Sequence, residues 1–181
     1  MRRREILKSI GLVSPFTMAA GLTLAKSNGS NSWLIEFSDR WDVSELYTRE
    51  VFNAMPEEYL TYKPTPEIMS FGKQFTHLAM GTSIYAAVLR GDNHIEEPEA
   101  NNKQVILEYM DKTSAEFKIE VENLTEEKLY TNEHKHKNDE VWGDFSLADI
   151  LLLAYNHAAH HRAQAIVYLR LKNVVPPKYQ F

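Results

Sequence analysis

Residues that break helices are few in this chain and cluster at a small number of positions. Its 181 residues include only seven Gly and seven Pro. The long stretches between them are rich in Ala, Leu, Glu and Lys, which favour helix. A β-sandwich, which needs many turns, is therefore not expected. With 44% hydrophobic and 25% charged residues, the composition is typical of one soluble domain that is large enough to bury a core. The sequence predicts an all-α fold.

Apolar residues recur every three or four positions in four of these stretches, which is the pattern of amphipathic helices. The predicted helices cover about residues 32–55, 70–91, 101–123 and 147–172. Residues 56–69 contain three Pro and several aromatic residues, so an ordered first connection is expected. Residues 125–144 are polar and predict a loop or a short strand pair. We therefore predict a four-helix bundle with one long first connection, forming a single domain over residues 32–181.

The first 25 residues are typical of an export signal. Arg2 to Arg4 form a basic start, residues 10–24 are weakly apolar and uncharged, and Thr23-Leu24-Ala25 is typical of a cleavage site. The order Arg3-Arg4-Glu5-Ile6-Leu7-Lys8 resembles a twin-arginine translocation signal. These features predict a signal peptide over residues 1–25 and a periplasmic protein exported by the twin-arginine route. The alternatives are an amphipathic first helix that stays in the protein, or an uncleaved membrane anchor.

Charge and cysteine content exclude several classes of function. The formal net charge is −5, and removal of residues 1–25 takes away three net positive charges, which leaves −8. Lys and Arg are interspersed with Glu and Asp along every segment, so no nucleic-acid binding is expected. Acidic, amphipathic outer faces are compatible with a homodimer. Because the chain has no Cys, disulfides, thiolate nucleophiles and Cys-ligated metals are excluded. Any metal must be bound by His and carboxylates.

Seven His residues are the candidates for chemistry. His157 and His161 lie one turn apart on the predicted fourth helix, at the edge of its apolar face and inside it, so both imidazoles can reach one metal ion. His160 points away from both. His77 is the only His on the other predicted core helices. Three neutral imidazoles suit Zn²⁺, Ni²⁺, Fe²⁺ or Mn²⁺ and leave a coordination position open for water or substrate. The alternative for each His is a hydrogen-bonded core residue.

Other metal motifs do not fit the sequence. Ala158 stands where the HExxH motif of a zinc metalloprotease needs Glu. Di-iron bundles use Glu-x-x-His pairs on their helices, but the one such pair here, Glu133 with His136, lies in a polar segment. We expect His134 and His136 to be solvated, with a second weak metal site as the alternative. His94 is expected to lie in a turn.

The sequence from Asn156 to Gln164, followed by Tyr168-Leu169-Arg170 and Pro176-Pro177-Lys178-Tyr179, resembles the last helix and tail of the DinB-like (damage-inducible) family. That family has approximately the pattern HxxHHRGQ, then YLR and a PPxY-like end, and here only Ala163 replaces the usual Gly. Further similarity to the family's first connection and second helix lies at Met55–Glu58, Pro64, Ser70–Lys73 and Phe75–Leu78. The resemblance covers about residues 32–181.

The resemblance implies a four-helix bundle that binds one divalent metal ion through three His. These ligands correspond here to His77, His157 and His161, which the helical spacing also singled out. His160, Arg162 and Gln164 belong to the motif without being implied ligands, and Arg162 and Gln164 are expected to fix the helix or to support the site. Asn156 stands where many relatives have Glu, which argues against a carboxylate role there.

The resemblance implies several activities rather than one. Some members of the wider superfamily activate a low-molecular-weight thiol, and an open metal site also suits hydrolysis. We therefore expect a metal-dependent hydrolase or thiol transferase that acts on a small molecule. The alternatives are a non-catalytic metal-binding bundle and an interaction module. Tyr85, Asp39 and Asp42 are candidate general bases.

Overall fold

The structure, a computed structural model, describes residues 32–132 and 142–180. Within these ranges the chain forms four long helices, two short 3-10 turns and no strand. The long helices are α1 (Trp33–Ala54), α2 (Phe71–Arg90), α3 (Lys103–Glu122) and α4 (Leu147–Leu171). The predicted all-α four-helix bundle is confirmed, and each helix begins and ends within a few residues of its predicted bounds.

Polar side chains cap the start of all four helices. In each case the side chain accepts a hydrogen bond from the backbone N–H three residues further on, which satisfies one of the free donors of the first turn. The capping residues are Ser32, Ser70, Asn102 and Ser146. At the start of α4 the Asp149 carboxylate also accepts from the Ser146 backbone N–H, which completes a capping box. Helix α2 ends at Gly91, which adopts a left-handed conformation with φ of 85°.

The packing places α2 and α4 side by side in opposite directions. Helix α2 contacts both α3 and α4, and α4 also contacts α1. The start of α2 lies beside the end of α4, because the side chain of Gln74 forms a hydrogen bond with Tyr168. Nearer the middle of both helices, Gly81 lies against His157. Two hydrophobic clusters fill the core. The antiparallel seam between α2 and α4 therefore brings the middle of each helix together.

The connection between α1 and α2 is ordered, as predicted. It contains a 3-10 turn at Glu57–Tyr59, and Leu60 is buried. The carbonyl of Leu60 accepts a hydrogen bond from Gly72 at 2.7 Å, and that of Tyr62 accepts from Phe71 at 2.9 Å. These bonds tie the connection to the first residues of α2 and fix where that helix begins.

The segment over residues 125–144 differs in part from its prediction. Its described residues contain a 3-10 turn at Glu126–Lys128 rather than a strand pair. Leu129 follows the turn and is completely buried, and its carbonyl accepts a hydrogen bond from Ala148 at 2.8 Å. Part of this polar segment therefore belongs to the core. The burial of Leu129 depends on contact with the start of α4, which local sequence does not reveal.

Several predictions fall outside the described ranges. The predicted export signal falls within residues 1–31, and His134 and His136 lie within residues 133–141. None of the helices in the described part of the chain is both long and apolar enough to cross a membrane.

Candidate metal centre

Three His side chains meet in the seam between α2 and α4. They are His77 from α2 and His157 and His161 from α4, and one nitrogen of each lies within 4.8 Å of the others. Their ring centroids are 4.6 Å apart for His157 and His161, 4.7 Å for His77 and His161, and 5.3 Å for His77 and His157. The structure thus brings together all three predicted residues in a group that could hold one metal ion. His160 is exposed and outside the group.

The backbone of α2 makes room for His157 at Gly81. A Cβ atom at this position would lie 2.2 Å from Cε1 and 2.5 Å from Nδ1 of His157, far inside van der Waals contact. Gly81 is buried one turn after His77, so the imidazole of His157 occupies the space that a side chain would need. This glycine therefore lets the two helices approach closely enough for their His residues to meet.

The buried side-chain amide of Gln74 contacts the imidazole of His161. His161 is only 7% exposed, and its Nδ1 lies 2.7 Å from Oε1 of Gln74. Gln74 is itself 1% exposed and lies one turn before His77 on α2. Sequence reasoning missed Gln74, although a Gln within the apolar stripe of α2, three residues before a candidate ligand, is a signal that could have identified it.

Arg162 ties α4 to α1 beside the histidine group. It is 7% exposed, and its Nη1 donates to the carbonyl and hydroxyl oxygens of Ser44, at 3.0 and 2.7 Å, and to the hydroxyl of Thr48 at 2.8 Å. The guanidinium also lies over the ring of Tyr47, 5.1 Å from its centroid. These contacts agree with the expectation that Arg162 fixes the helix without being a ligand.

Burial keeps two of the imidazoles neutral at physiological pH. It is the main cause that lowers the pKa of His157 to about 4 and that of His161 to about 3, and neighbouring imidazoles add to the effect. A neutral imidazole offers a lone pair to a metal ion, whereas a protonated one does not. These two residues can therefore bind a divalent ion at neutral pH without first releasing protons.

The metal-free protein is expected to lose thermal stability as the pH falls from about 6.5 toward about 5. In the folded state the pKa values of His157 and His161 lie below the ordinary value of 6.5. Below pH 6.5 the unfolded chain therefore binds protons at these residues that the folded chain does not bind, which favours unfolding. Their contribution is complete above pH 6.5 and declines as the pH falls toward the folded-state values.

Thermal denaturation of chelator-treated protein at a series of pH values measures this dependence. The variant His157→Gln, which cannot titrate at this position, should show a shallower decline between about pH 6.5 and 5. A melting temperature that rises over the same interval, or an identical decline in the variant, would contradict the assignment.

The three candidate general bases lie in different surroundings. The ring of Tyr85 is 6.1 Å from that of His157, between centroids, and burial raises the pKa of its phenol above 10. Tyr85 therefore keeps its proton at neutral pH and can donate a hydrogen bond rather than accept a proton. Asp39 and Asp42 are exposed on α1, and Asp42 pairs with Lys118 of α3 at 2.8 Å. Neither carboxylate belongs to the histidine group.

No fourth ligand completes the group within residues 32–132 and 142–180. In these ranges, no Asp, Glu or further His joins the three imidazoles. Catalytic zinc sites have three protein ligands and an open position, whereas structural sites have four. The described arrangement therefore has the ligand count of an open site.

One family model matches most of the chain, and solved structures share its fold. The model of the DinB family matches residues 27–181. Among solved structures, a DinB-like protein from Bacillus cereus has 18% identity and a TM-score of 0.62, covering 80% of this chain and 95% of that one. A DinB-like protein from Bacillus subtilis, YjoA, has 22% identity and a TM-score of 0.59, covering 80% and 97%. A conserved protein from Enterococcus faecalis has 19% identity and a TM-score of 0.62, covering 75% and 94%.

At these identities the solved structures show a shared fold, and among curated proteins no sequence matches significantly. The family match, by contrast, spans all four helices and the three converging His residues. The chain therefore belongs to the DinB family.

Proposed function

We propose that this protein binds one divalent metal ion through His77, His157 and His161 and acts as a metal-dependent hydrolase or thiol transferase on a small molecule. The observation that carries the proposal is the convergence of three imidazoles to within 4.8 Å, without a fourth ligand from the described residues. Membership of the DinB family supports it.

The chemistry of the donors fits Zn²⁺, Ni²⁺, Fe²⁺ or Mn²⁺, all of which accept imidazole ligands. When bound, such an ion supplies Lewis-acid chemistry that activates water or a thiol near neutral pH. The chain's own residues prepare the site: Gln74 orients His161, and Gly81 leaves space for His157. Tyr85 lies beside His157 with its proton retained, so it can donate a hydrogen bond to a substrate.

A paired substrate screen tests the proposal. The protein is loaded in turn with each of the four ions and assayed against esters, amides and lactones. It is also assayed with a low-molecular-weight thiol and an electrophilic acceptor. We expect turnover in one of the two panels that is lost on chelation and in His157→Ala. Stoichiometric metal without turnover in either panel would contradict the enzyme proposal and leave the non-catalytic metal-binding alternative.

We also propose that the protein is exported by the twin-arginine route. Export favours hydrolysis over thiol transfer, because thiol cofactors are mainly cytoplasmic. The route also carries folded proteins, so it suits a chain that acquires its metal before translocation. The basis is the order of residues 2–8 together with the uncharged apolar stretch that follows.

Replacing both residues of the arginine pair, Arg3→Lys with Arg4→Lys, is expected to abolish this export. The charge stays the same, but the route recognises the paired arginines themselves. The measurement is the periplasmic fraction of a folded reporter fused after residue 31. As a matched control, Arg2→Lys should leave export unchanged, since Arg2 lies outside the pair. Export that persists in the double variant would contradict the assignment.

A further inference from the structure

A chain of side-chain hydrogen bonds links the loop before α2 to two adjacent His residues of α4. In order, it joins Met69, Tyr168, Gln74, Gln164 and His160, with a branch from Gln74 to His161. We infer that Gln74 and Gln164 are positioning residues that assign opposite roles to the two imidazoles. His161 carries its proton on Nδ1 and leaves Nε2 free for a metal ion, whereas Nε2 of His160 is occupied. The use of this arrangement rests on the proposed metal function, but the proton positions themselves do not.

The hydrogen bond to the carbonyl of Met69 fixes which group donates in each of the other bonds. The carbonyl oxygen of Met69 can only accept, so the hydroxyl of Tyr168, at 2.9 Å, must donate to it. The Tyr168 oxygen then has lone pairs but no further proton. Its other partner, the side-chain amide of Gln74 at 3.2 Å, must therefore present Nε2 as a donor.

The orientation of Gln74 decides the proton position on His161. Its Nε2 also donates to Oε1 of Gln164 at 2.9 Å, which leaves Oε1 of Gln74 facing Nδ1 of His161 at 2.7 Å. An amide oxygen has no proton to offer, so Nδ1 must carry one. A neutral imidazole has a single N–H, and the lone pair of His161 is consequently on Nε2.

The orientation of Gln164 makes His160 the acceptor of its hydrogen bond, whereas His161 is a donor. Because its Oε1 accepts from Gln74, its Nε2 amide group faces Nε2 of His160 at 2.6 Å and donates to it. The lone pair on Nε2 of His160 is used in this bond, and the proton of the neutral ring is on Nδ1. The rings of His160 and His161 are only 5.0 Å apart between centroids. Both rings therefore carry the proton on Nδ1, but the amides engage Nδ1 of His161 and Nε2 of His160, so only His161 keeps Nε2 for an ion.

Burial makes the Gln74 end of this arrangement rigid, whereas the bond between Gln164 and His160 is exposed. Gln74 is 1% exposed and Tyr168 is 3% exposed, so neither can exchange these partners for bulk water. A buried polar group left without a partner destabilises the fold, and linked hydrogen bonds strengthen one another. Reversing either amide would place two donors or two acceptors face to face. The orientation is therefore strongly favoured by the surrounding residues.

Nitrogen-15 NMR of the metal-free protein, labelled at His, tests the inference without any bound ion. We expect His161 to show a protonated Nδ1 and an unprotonated Nε2. A wild-type protein with the His161 proton on Nε2 would overturn the inference. If the expected proton position is found but the protein binds none of the four ions, the inference stands and the proposed function fails.

Two substitutions at Gln74 separate positioning from folding. In Gln74→Leu the acceptor for Nδ1 is lost, and we expect His161 to populate both tautomers and Zn²⁺ affinity to fall about 10- to 100-fold. In Gln74→Glu the acceptor for Nδ1 is kept, and the hydroxyl of Tyr168 can turn from Met69 to donate to the new carboxylate, so the His161 tautomer and most of the affinity should be rescued. The carboxylate also reverses the amide of Gln164, which should move the His160 proton to Nε2. Unchanged His160 tautomers in Gln74→Glu would overturn the linkage, because a purely structural role predicts no such change.

Discussion

Replacing His161 by Ala is expected to lower the affinity for Zn²⁺ by more than about 100-fold. Removal of a group that only supports a ligand already lowers metal affinity about 10- to 100-fold, and His161→Ala removes a proposed ligand itself. His161 is also the most buried of the three His residues, so no solvent-exposed side chain can easily replace it. The adjacent substitution His160→Ala is expected to change affinity little, because His160 lies outside the histidine group.

Competition with a chromogenic chelator measures both affinities, and circular dichroism shows whether each variant keeps its helical content. If His161→Ala does not fold, His157→Ala offers a second test at a less buried position. Equal losses of affinity in His160→Ala and His161→Ala would contradict the assignment of ligands.

The substitution Gly81→Ala is expected to have the second-largest effect, although glycine has no functional group. The new Cβ atom would lie 2.2 Å from Cε1 of His157, so either the imidazole or the backbone of α2 must move. Overpacking of this kind costs about 1–3 kcal/mol of stability. A displaced His157 can no longer share an ion with His77 and His161, and we expect Zn²⁺ affinity to fall about 10- to 100-fold.

Gly72→Ala is the matched control for this prediction. A Cβ atom at Gly72 would lie 2.4 Å from the carbonyl oxygen of Ala100, so this substitution would also overpack its surroundings. Its clash involves backbone away from the three His residues, and it should lower the melting temperature without changing metal affinity. Thermal denaturation and chelator competition on both variants measure the two effects separately. Unchanged metal affinity in Gly81→Ala would contradict the role given to this glycine.

Local sequence was sufficient to predict the helices and the histidine group. The period of 3.6 residues per turn places His157 and His161 side by side, because both belong to one helix. His77 could be added because it is the only His on another predicted core helix. Helix starts were equally local, since a residue such as Ser146 caps its own helix.

The features that sequence reasoning missed depend on contacts between helices. Gln74 lies on α2 but acts on His161 of α4, and the need for Gly81 becomes visible only when the ring of His157 is placed against it. Leu129 follows a polar turn and is buried by the start of α4. In each case the contact joins residues that are far apart in the sequence. The periodicity of one helix gives no information about such contacts.

The most direct test of the metal-site proposal is the metal content of the protein purified without a polyhistidine tag, measured by mass spectrometry beside His161→Ala. We expect about one equivalent of a divalent metal in the wild-type protein and little in the variant. The absence of bound metal in both, even after soaking with Zn²⁺, Ni²⁺, Fe²⁺ and Mn²⁺, would contradict the proposal.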